Sequence, residues 1–376
     1  VLFLGTLSAF GPFVTDLYLP ALPTMSSYFN SSTSTIQLTL TGSMVGLALG
    51  QLLIGPISDK YGRKNPLIIS LIVYLISTIA IIIFPNIYAM IALRFIQGVS
   101  SAGAVVISRA ISTDLYHGRE LAAFFALLMA VNGLAPILSP ILGSLLLELT
   151  DWRGIFVTLA LIGVILLAVS FKFNESLSIE KRLDLPITKT YYSIVHVAKN
   201  RLFFALVIIQ GFALATMFAY IAASPFILQT HYSLSPLMYS LCFGLNGFAI
   251  VLGSKNAGNF KEKISIKLGL SLMLLVSIYL AVALTLTLPF LFIEVGFFLL
   301  LLGLGFILPA GSAIAMSLER ERAGSASAFF GFVPFFLGGV VSPLVGIGNI
   351  FHSSAIAIVI CSTISFITFK LVEKKI

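Results

Sequence analysis

Charge is what this sequence lacks most. Of 376 residues only 10% are Asp, Glu, Lys or Arg, while 59% are hydrophobic. A soluble domain has roughly a quarter of its residues charged, so that class is excluded. Cysteine is scarcer still. Cys242 and Cys361 both lie inside apolar runs, which excludes a disulfide framework and a cysteine metal site. Histidine is almost as rare, and His117, His196, His231 and His352 all fall in or beside expected loops, so no buried histidine relay is expected. No nucleophile–base set, metal-ligand cluster or phosphate-binding loop is visible. The chain is therefore not read as an enzyme, and neither cofactor nor metal is expected.

What the sequence has in abundance is long apolar runs. Twelve of them, at 3–28, 35–57, 66–84, 87–112, 121–147, 153–173, 202–228, 236–254, 266–288, 290–316, 324–348 and 351–371, are each about 20 residues or longer, enough to cross a hydrocarbon core as a helix. The apolar stretch 266–316 is divided at Pro289. The expected fold is an all-α polytopic membrane protein of twelve transmembrane helices. The first run is too long for a signal-peptide core and carries Asp16 and three prolines, so it reads as a retained helix. The chain begins on valine, and residues missing upstream are expected.

Charge then sets the orientation. With the N-terminus inside, the cytoplasmic segments are 58–65, 113–120, 172–201, 255–267, 317–323 and 370–376, and both termini are cytoplasmic. These segments hold every Lys and Arg except Arg94, Arg109 and Arg153, that is 22 − 3 = 19 of 22. Basic loops stay on the cytoplasmic side, so this asymmetry supports the topology. It also accounts for the net charge of +8, which lies along a membrane face and does not point to nucleic acid. The expected setting is a bacterial cytoplasmic (inner) membrane, crossed many times and in contact with lipid.

The longest polar stretch, 172–201, divides the helices six and six. The expected organisation is a first six-helix half at 1–173, a linker at 174–200 and a second half at 201–376. Weak echoes point to an internal repeat. "GPISDKYGRK" (55–64) follows the second run and "GSKNAGNFKEK" (253–263) follows the eighth, while "DLYLPA" in the first run is echoed by "IAASPF" (221–226) in the seventh. Paired six-helix halves are a transporter architecture.

The loop after the second helix is more specific. "GPISDKYGRKNPL" fits the pattern G-x-x-x-D-x-x-G-R-K at Gly55, Asp59, Gly62, Arg63 and Lys64. On physical grounds Gly55 allows close helix approach, Gly62 a tight turn, and Arg63 and Lys64 hold the loop inside. This pattern resembles the signature of the major facilitator superfamily. "LRFIQGVSSAGAVVISRAISTDL" is similar to that family's conserved-arginine segment, with Arg94, Gln97 and Gly98. "NGLAPILSPILG" resembles the antiporter motif of drug–proton exchangers, with Gly133, Pro136, Pro140 and Gly143. "DLYLPALP", "DWRGIF", "ASPFILQTHYSLSP", "FGLNGFAIVLGS" and "RAGSASAFFGF" are similar to the bicyclomycin- and chloramphenicol-resistance (Bcr/CflA) subfamily of those exporters. There are departures. Ser139 stands where the antiporter motif often has glycine, and Ala257 stands at the position matching Asp59.

The resemblance implies proton-coupled efflux of small amphipathic drugs or metabolites by a monomer working through alternating access. It implies a gating latch of Gly55, Asp59, Gly62, Arg63 and Lys64 with Asp114, in which Arg63 pairs with Asp114 and Asp59 faces the small-residue start of the eleventh helix. The departure at Ala257 confines that latch to the first half. Of the fourteen acids only Asp16 and Glu294 fall inside expected spans. Glu294 is close to the start of its helix and is expected at the interface. Asp16 and Arg94 are then the deep ionisable groups, and an intramembrane acid is a functional candidate by default. They are the expected proton-coupling pair. Phe13, Asp16, Tyr18, Gln97, Asn132, Gln210, Tyr220 and Asn246 are the expected substrate-binding residues, chosen for depth and chemistry. Pro12, Pro20 and Pro23 are expected to break the helix around Asp16, and Pro20, Gly133, Pro136, Pro140 and Gly143 to act as hinge. The competing reading is a proton symporter importing a nutrient or siderophore-like molecule.

Overall fold

The computed structural model describes residues 2–182, 187–319 and 322–375. Residues 183–186 of the expected linker and Arg320 of the 317–323 segment lie outside the described residues. Among those described there are fourteen helices and no strand: α1 (Leu2–Asp16), α2 (Leu22–Tyr28), α3 (Thr33–Tyr61), α4 (Lys64–Ile83), α5 (Ile87–Leu115), α6 (Gly118–Leu149), α7 (Trp152–Lys172), α8 (Ile187–Ala198), α9 (Arg201–Pro225), α10 (Pro236–Ala257), α11 (Glu262–Thr285), α12 (Phe290–Leu318), α13 (Ala323–Leu344) and α14 (Ile350–Val372). They supply twelve segments long and apolar enough to cross a membrane, the first built from α1 and α2 together. The helix α8 lies in the expected linker, part of which is therefore ordered secondary structure.

Helix ends fall where the sequence offers a cap. The first N–H groups of a helix lack intrahelical acceptors. Asn86 Oδ1 takes those of Tyr88 and Ala89 to open α5, Asp151 takes that of Arg153 at α7, and Ser235 takes that of Met238 at α10. Asn200 and Asn349 do the same for α9 and α14. Pro289 precedes α12, and its missing N–H costs nothing there.

The chain separates into two compact units, 1–29 with 42–191 and 30–41 with 192–376, so the start of α3 groups with the second. In the first unit α1 packs on α5 and α6, and α4 on α5 and α7. In the second, α9 packs on α12 and α13, and α11 on α12 and α14. One pairing scheme thus serves both units, the structural form of the repeat that the sequence echoes.

The first spanning segment is interrupted. α1 ends at Asp16, a turn follows, residues 19–21 form one 3-10 turn with Pro20 in its first positions, and α2 begins with Pro23 in its own. Pro12, expected to break the helix, lies inside α1, which runs through it. The seventh segment is irregular at the echoed position, where α9 ends at Pro225 and Phe226–His231 continues as a wider π-helical turn.

Candidate functional site

Asp16 is the last residue of α1 and is 8% exposed. The position is unfavourable twice over, since burial strips water from a carboxylate and a helix C-terminus carries partial negative charge. Arg94, on the neighbouring α5, is fully buried. It donates through Nη1 to the Val14 carbonyl at 3.0 Å and to Gln97 Oε1 at 2.5 Å, and its guanidinium lies 4.2 Å over the Tyr18 ring and 5.8 Å from that of Phe156. Arg94 therefore grips α1 one turn or less from Asp16 on one side and the broken segment on the other. Gln97 passes the network on by donating to Thr78 Oγ1 at 2.8 Å, Thr78 donates to the Tyr74 carbonyl at 2.7 Å, and the Tyr74 ring packs at a tilt of 57° against Phe10. Thr78 and Tyr74 were not singled out from the sequence. Polar groups of this size are common in spanning helices, and only the fold shows them joined to Arg94.

The other expected residues of this unit are dispersed. Asn132 of α6 donates to Ser8 Oγ at 2.6 Å, tying α6 to α1. Phe13 turns to an apolar groove of about 200 Å³ shared with Leu142, Leu145 and Leu149 of α6 and with α7. Pro136 and Pro140 are both inside an unbroken α6. Gly133 has open space around it, whereas a Cβ at Gly143 would meet the Leu17 carbonyl oxygen, so α6 presses against the chain break at its glycine. Gly55 behaves differently from expectation. A Cβ there would meet only Val106 at an ordinary 3.6 Å, whereas α3 and α5 approach closely at Gly46, against the Phe95 carbonyl, and at Gly98, against the Ser43 carbonyl.

At the end of α3 the charges converge. Arg63 is 6% exposed. Its Nε donates to Asp114 Oδ2 at 2.9 Å, Nη1 to Asp59 Oδ1 at 2.5 Å and to Ser58 Oγ at 3.0 Å, and Nη2 to Asp114 Oδ1 at 3.4 Å. Burial opposes its charge, but the two carboxylates outweigh this and hold it more firmly protonated than an ordinary arginine. The chain after α7 completes the cluster. Glu175 accepts from the backbone N–H of Arg63 at 2.9 Å and of Lys64 at 3.1 Å, and Ser176 donates to Asp114 at 2.9 Å. Lys64 Nζ donates to the Phe171 carbonyl at 2.9 Å. Burial pushes the Glu175 carboxyl up, yet the N–H donors of Arg63, Leu177 and Lys64, with Arg182 3.9 Å away, together hold it below its ordinary value. Gly62 has φ +91°, and a Cβ there would strike Glu175 Oε2 at 2.4 Å. The glycine is thus required both by its left-handed backbone and by the carboxylate seated on it. Glu175 was missed because an acid in a polar linker ordinarily faces solvent. The one available signal was its position just past the end of the sixth run.

In the second unit Tyr220 of α9 and Asn246 of α10 meet. Asn246 Nδ2 donates to the Tyr220 hydroxyl and to Glu294 Oε1, each at 3.0 Å. Glu294, expected at the interface from its place near the start of its helix, is 5% exposed and packed against α10. Counting residues from a helix end measures distance along its axis, and burial here comes from the neighbouring helix. Gln210, 7% exposed on α9, does not join this group, and its Oε1 lies against Gly311 of α12.

The family model described as Major Facilitator Superfamily matches residues 2–343. The uncharacterized MFS-type transporter YdgK of Bacillus subtilis (strain 168) is 36% identical over 353 residues, covering 92% of this chain and 88% of that protein. A bicyclomycin resistance protein homolog of Haemophilus influenzae is 28% identical over 265 residues, 70% of this chain and 67% of that one. Among solved structures, a bacterial homolog of the human lysosomal transporter Spinster, inward-facing and unoccupied, superposes with a TM-score of 0.77 at 14% identity, covering 98% of this chain and 96% of that one.

Proposed function

Because the chain belongs to the Major Facilitator Superfamily, and is a multi-pass membrane transporter of small molecules and not an enzyme, we propose that it exports small amphipathic drugs or metabolites from the bacterial cytoplasm in exchange for protons, by alternating access. The observation that carries this reading is Asp16, a buried carboxylate at the point where the first spanning segment breaks. An ionised carboxylate there is costly and a protonated one is not, so the group changes its energetic standing each time it gains or loses a proton. Arg94, held near by its bond to the Val14 carbonyl, offsets part of the charge of the ionised form through space. Asp16 takes a proton from the outer side as substrate leaves and gives it up to the cytoplasm as the next substrate binds. The name of the Haemophilus relative, a bicyclomycin resistance protein homolog, favours a drug-like cargo.

Around this exchange the other residues take roles. Tyr18 and Gln97, both in contact with Arg94, contact substrate in the first half, with Phe13 and Asn132 further out. Gln210, Tyr220 and Asn246 do so in the second. Gly55, Asp59, Gly62, Arg63, Lys64 and Asp114 form the latch, whose charge-assisted bonds favour the outward-facing state and break as the inner gate opens. Pro20, Gly133, Pro136, Pro140 and Gly143 form the hinge. The protein acts as a monomer in the cytoplasmic membrane with both termini inside.

Reconstitution in proteoliposomes with a pH gradient and chloramphenicol as probe tests this reading. Wild type is expected to move the probe uphill against the proton flow, and Asp16→Asn to lose uphill movement. An Asp16→Asn variant that still drives uphill export removes Asp16 as the coupling site. Probe moving in the same direction as protons reverses the reading to symport.

A further inference from the structure

Glu294 has no task in the exchange assigned to Asp16, although its cluster shares Tyr220 and Asn246 with the proposed substrate path. The cluster is built from three helices of the second unit: Tyr220 on α9, Asn246 on α10 and Glu294 on α12, which are 1%, 0% and 5% exposed. Aromatic rings enclose it, with Phe297 4.8 Å and Phe243 5.9 Å from the Tyr220 ring centre. The hydrogen bonding is lopsided. A single amide nitrogen, Asn246 Nδ2, serves both Glu294 Oε1 and the Tyr220 hydroxyl. Glu294 Oε2 and Asn246 Oδ1, both acceptors, are buried with no hydrogen-bond partner.

Two buried acceptors of one cluster lack a hydrogen-bond partner, and the weak Cys242 thiol is the other donor facing Glu294, so the cluster is short of hydrogen. No counter-ion supplies it. Among the described residues no Lys, Arg or His forms an ion pair with Glu294. The titratable groups around it are neutral in their ordinary state: Tyr220 from α9, Cys242 and Tyr239 from α10, and Tyr279 of α11, whose hydroxyl donates to the Phe292 carbonyl at 3.0 Å. The sequence of α13 contains no titratable residue. An ionised Glu294 is therefore a buried charge met by one amide and the weak Cys242 thiol, whereas a protonated Glu294 is a neutral acid with an O–H of its own to donate. In this conformation all three side chains are almost fully covered, so the ligand that reaches Glu294 here is small.

We propose that Glu294, oriented by Asn246 and Tyr220, is a second proton-binding site, carried by the second half independently of Asp16. The transporter then binds a proton in each half, at a carboxylate balanced by arginine in one and by an amide in the other.

The test is infrared difference spectroscopy of the reconstituted full chain across a pH titration, without substrate, following the carbonyl stretch of protonated carboxylic acids. In Asp16→Asn one carboxyl band is expected to appear and vanish reversibly with pH. Glu294→Gln in that background is expected to abolish it, and Glu294→Asp to retain it at a shifted frequency. The proposal is overturned if Asp16→Asn shows no titrating carboxyl, if the band survives Glu294→Gln, or if it persists unchanged at every pH, which marks a permanent structural hydrogen bond. No transport is measured, so this result and the export reading fail or stand separately.

Discussion

The turn after α3 and the turn after α10 occupy equivalent places in the two halves, yet they are built differently. In the first, Arg63 is 6% exposed and binds Asp59, Asp114 and Ser58, while Glu175 seals the backbone above it. In the second, Ala257 stands at the position of Asp59, and the turn is held by backbone bonds from Asn259 to Asn256 and from Phe260 to Ala257. Ion pairs exist in that half too, but Glu373 with Lys267 and Lys370 is a surface cluster, the lysine side chains being 51% and 42% exposed. Exposed pairs of this kind contribute little, whereas a buried guanidinium with matched carboxylates is costly to disrupt. The two turns therefore differ in backbone as well as in charge, and among the described residues only the first carries a buried charge cluster. Whatever depends on making and breaking that cluster is governed by the first half.

Paired substitutions turn this into measurements. Arg63→Ala leaves Asp59 and Asp114 facing each other without a cation and is expected to lower stability by about 3 kcal/mol. Lys261→Ala, in the corresponding turn, is expected to change it by less than about 0.5 kcal/mol. Thermal unfolding of the purified variants in detergent reads both, and equal losses in the two turns would remove the asymmetry. The glycines sharpen the contrast. Gly62→Ala forces a side chain into φ +91° and against Glu175, with an expected cost of about 2 kcal/mol. Gly258 has φ −63°, and its Cβ would meet the Lys255 carbonyl oxygen at an ordinary 3.6 Å, so Gly258→Ala is expected to be neutral within about 0.5 kcal/mol. A Gly258→Ala variant as damaged as Gly62→Ala would show that both turns need glycine for the same reason.

The sequence made some of these features readable and hid others for physical reasons. Twelve spans were legible because the bilayer demands length and apolarity, and both leave a plain mark on composition. The break after Asp16 was legible from Pro20 and Pro23, although Pro12 left its helix intact. Arg63 and Asp114 could be matched through the family resemblance that the loop pattern carries, and the two pair at 2.9 Å. Glu175 escaped notice since its partners are backbone N–H groups, which no sequence pattern displays. The burial of Glu294 was hidden for a related reason, because it depends on α10 and α9 packing over it. The wider turn at Phe226–His231 had only the echo of "DLYLPA" in "IAASPF" to announce it.

A smaller effect than those at Arg63 and Gly62 concerns Glu175, and its sign is fixed by the direction in which the carboxyl is displaced. The folded chain holds it below its ordinary 4.5, because donors from Arg63, Leu177 and Lys64 together overcome the effect of burial. A carboxyl displaced downward contributes stability that is fully present above the ordinary value and is lost as pH falls through the folded one. Its side chain is 26% exposed, so solvent screens part of the gain, and Glu175→Gln is expected to cost about 1 kcal/mol at neutral pH. The difference in thermal midpoint between wild type and Glu175→Gln should therefore stay constant from neutrality to about pH 5 and close below it. A difference that widens in acid would mean that Glu175 is stabilised in its protonated form. The seal over Arg63 would then be a neutral hydrogen bond, and the charge asymmetry between the two turns would end at Asp59 and Asp114.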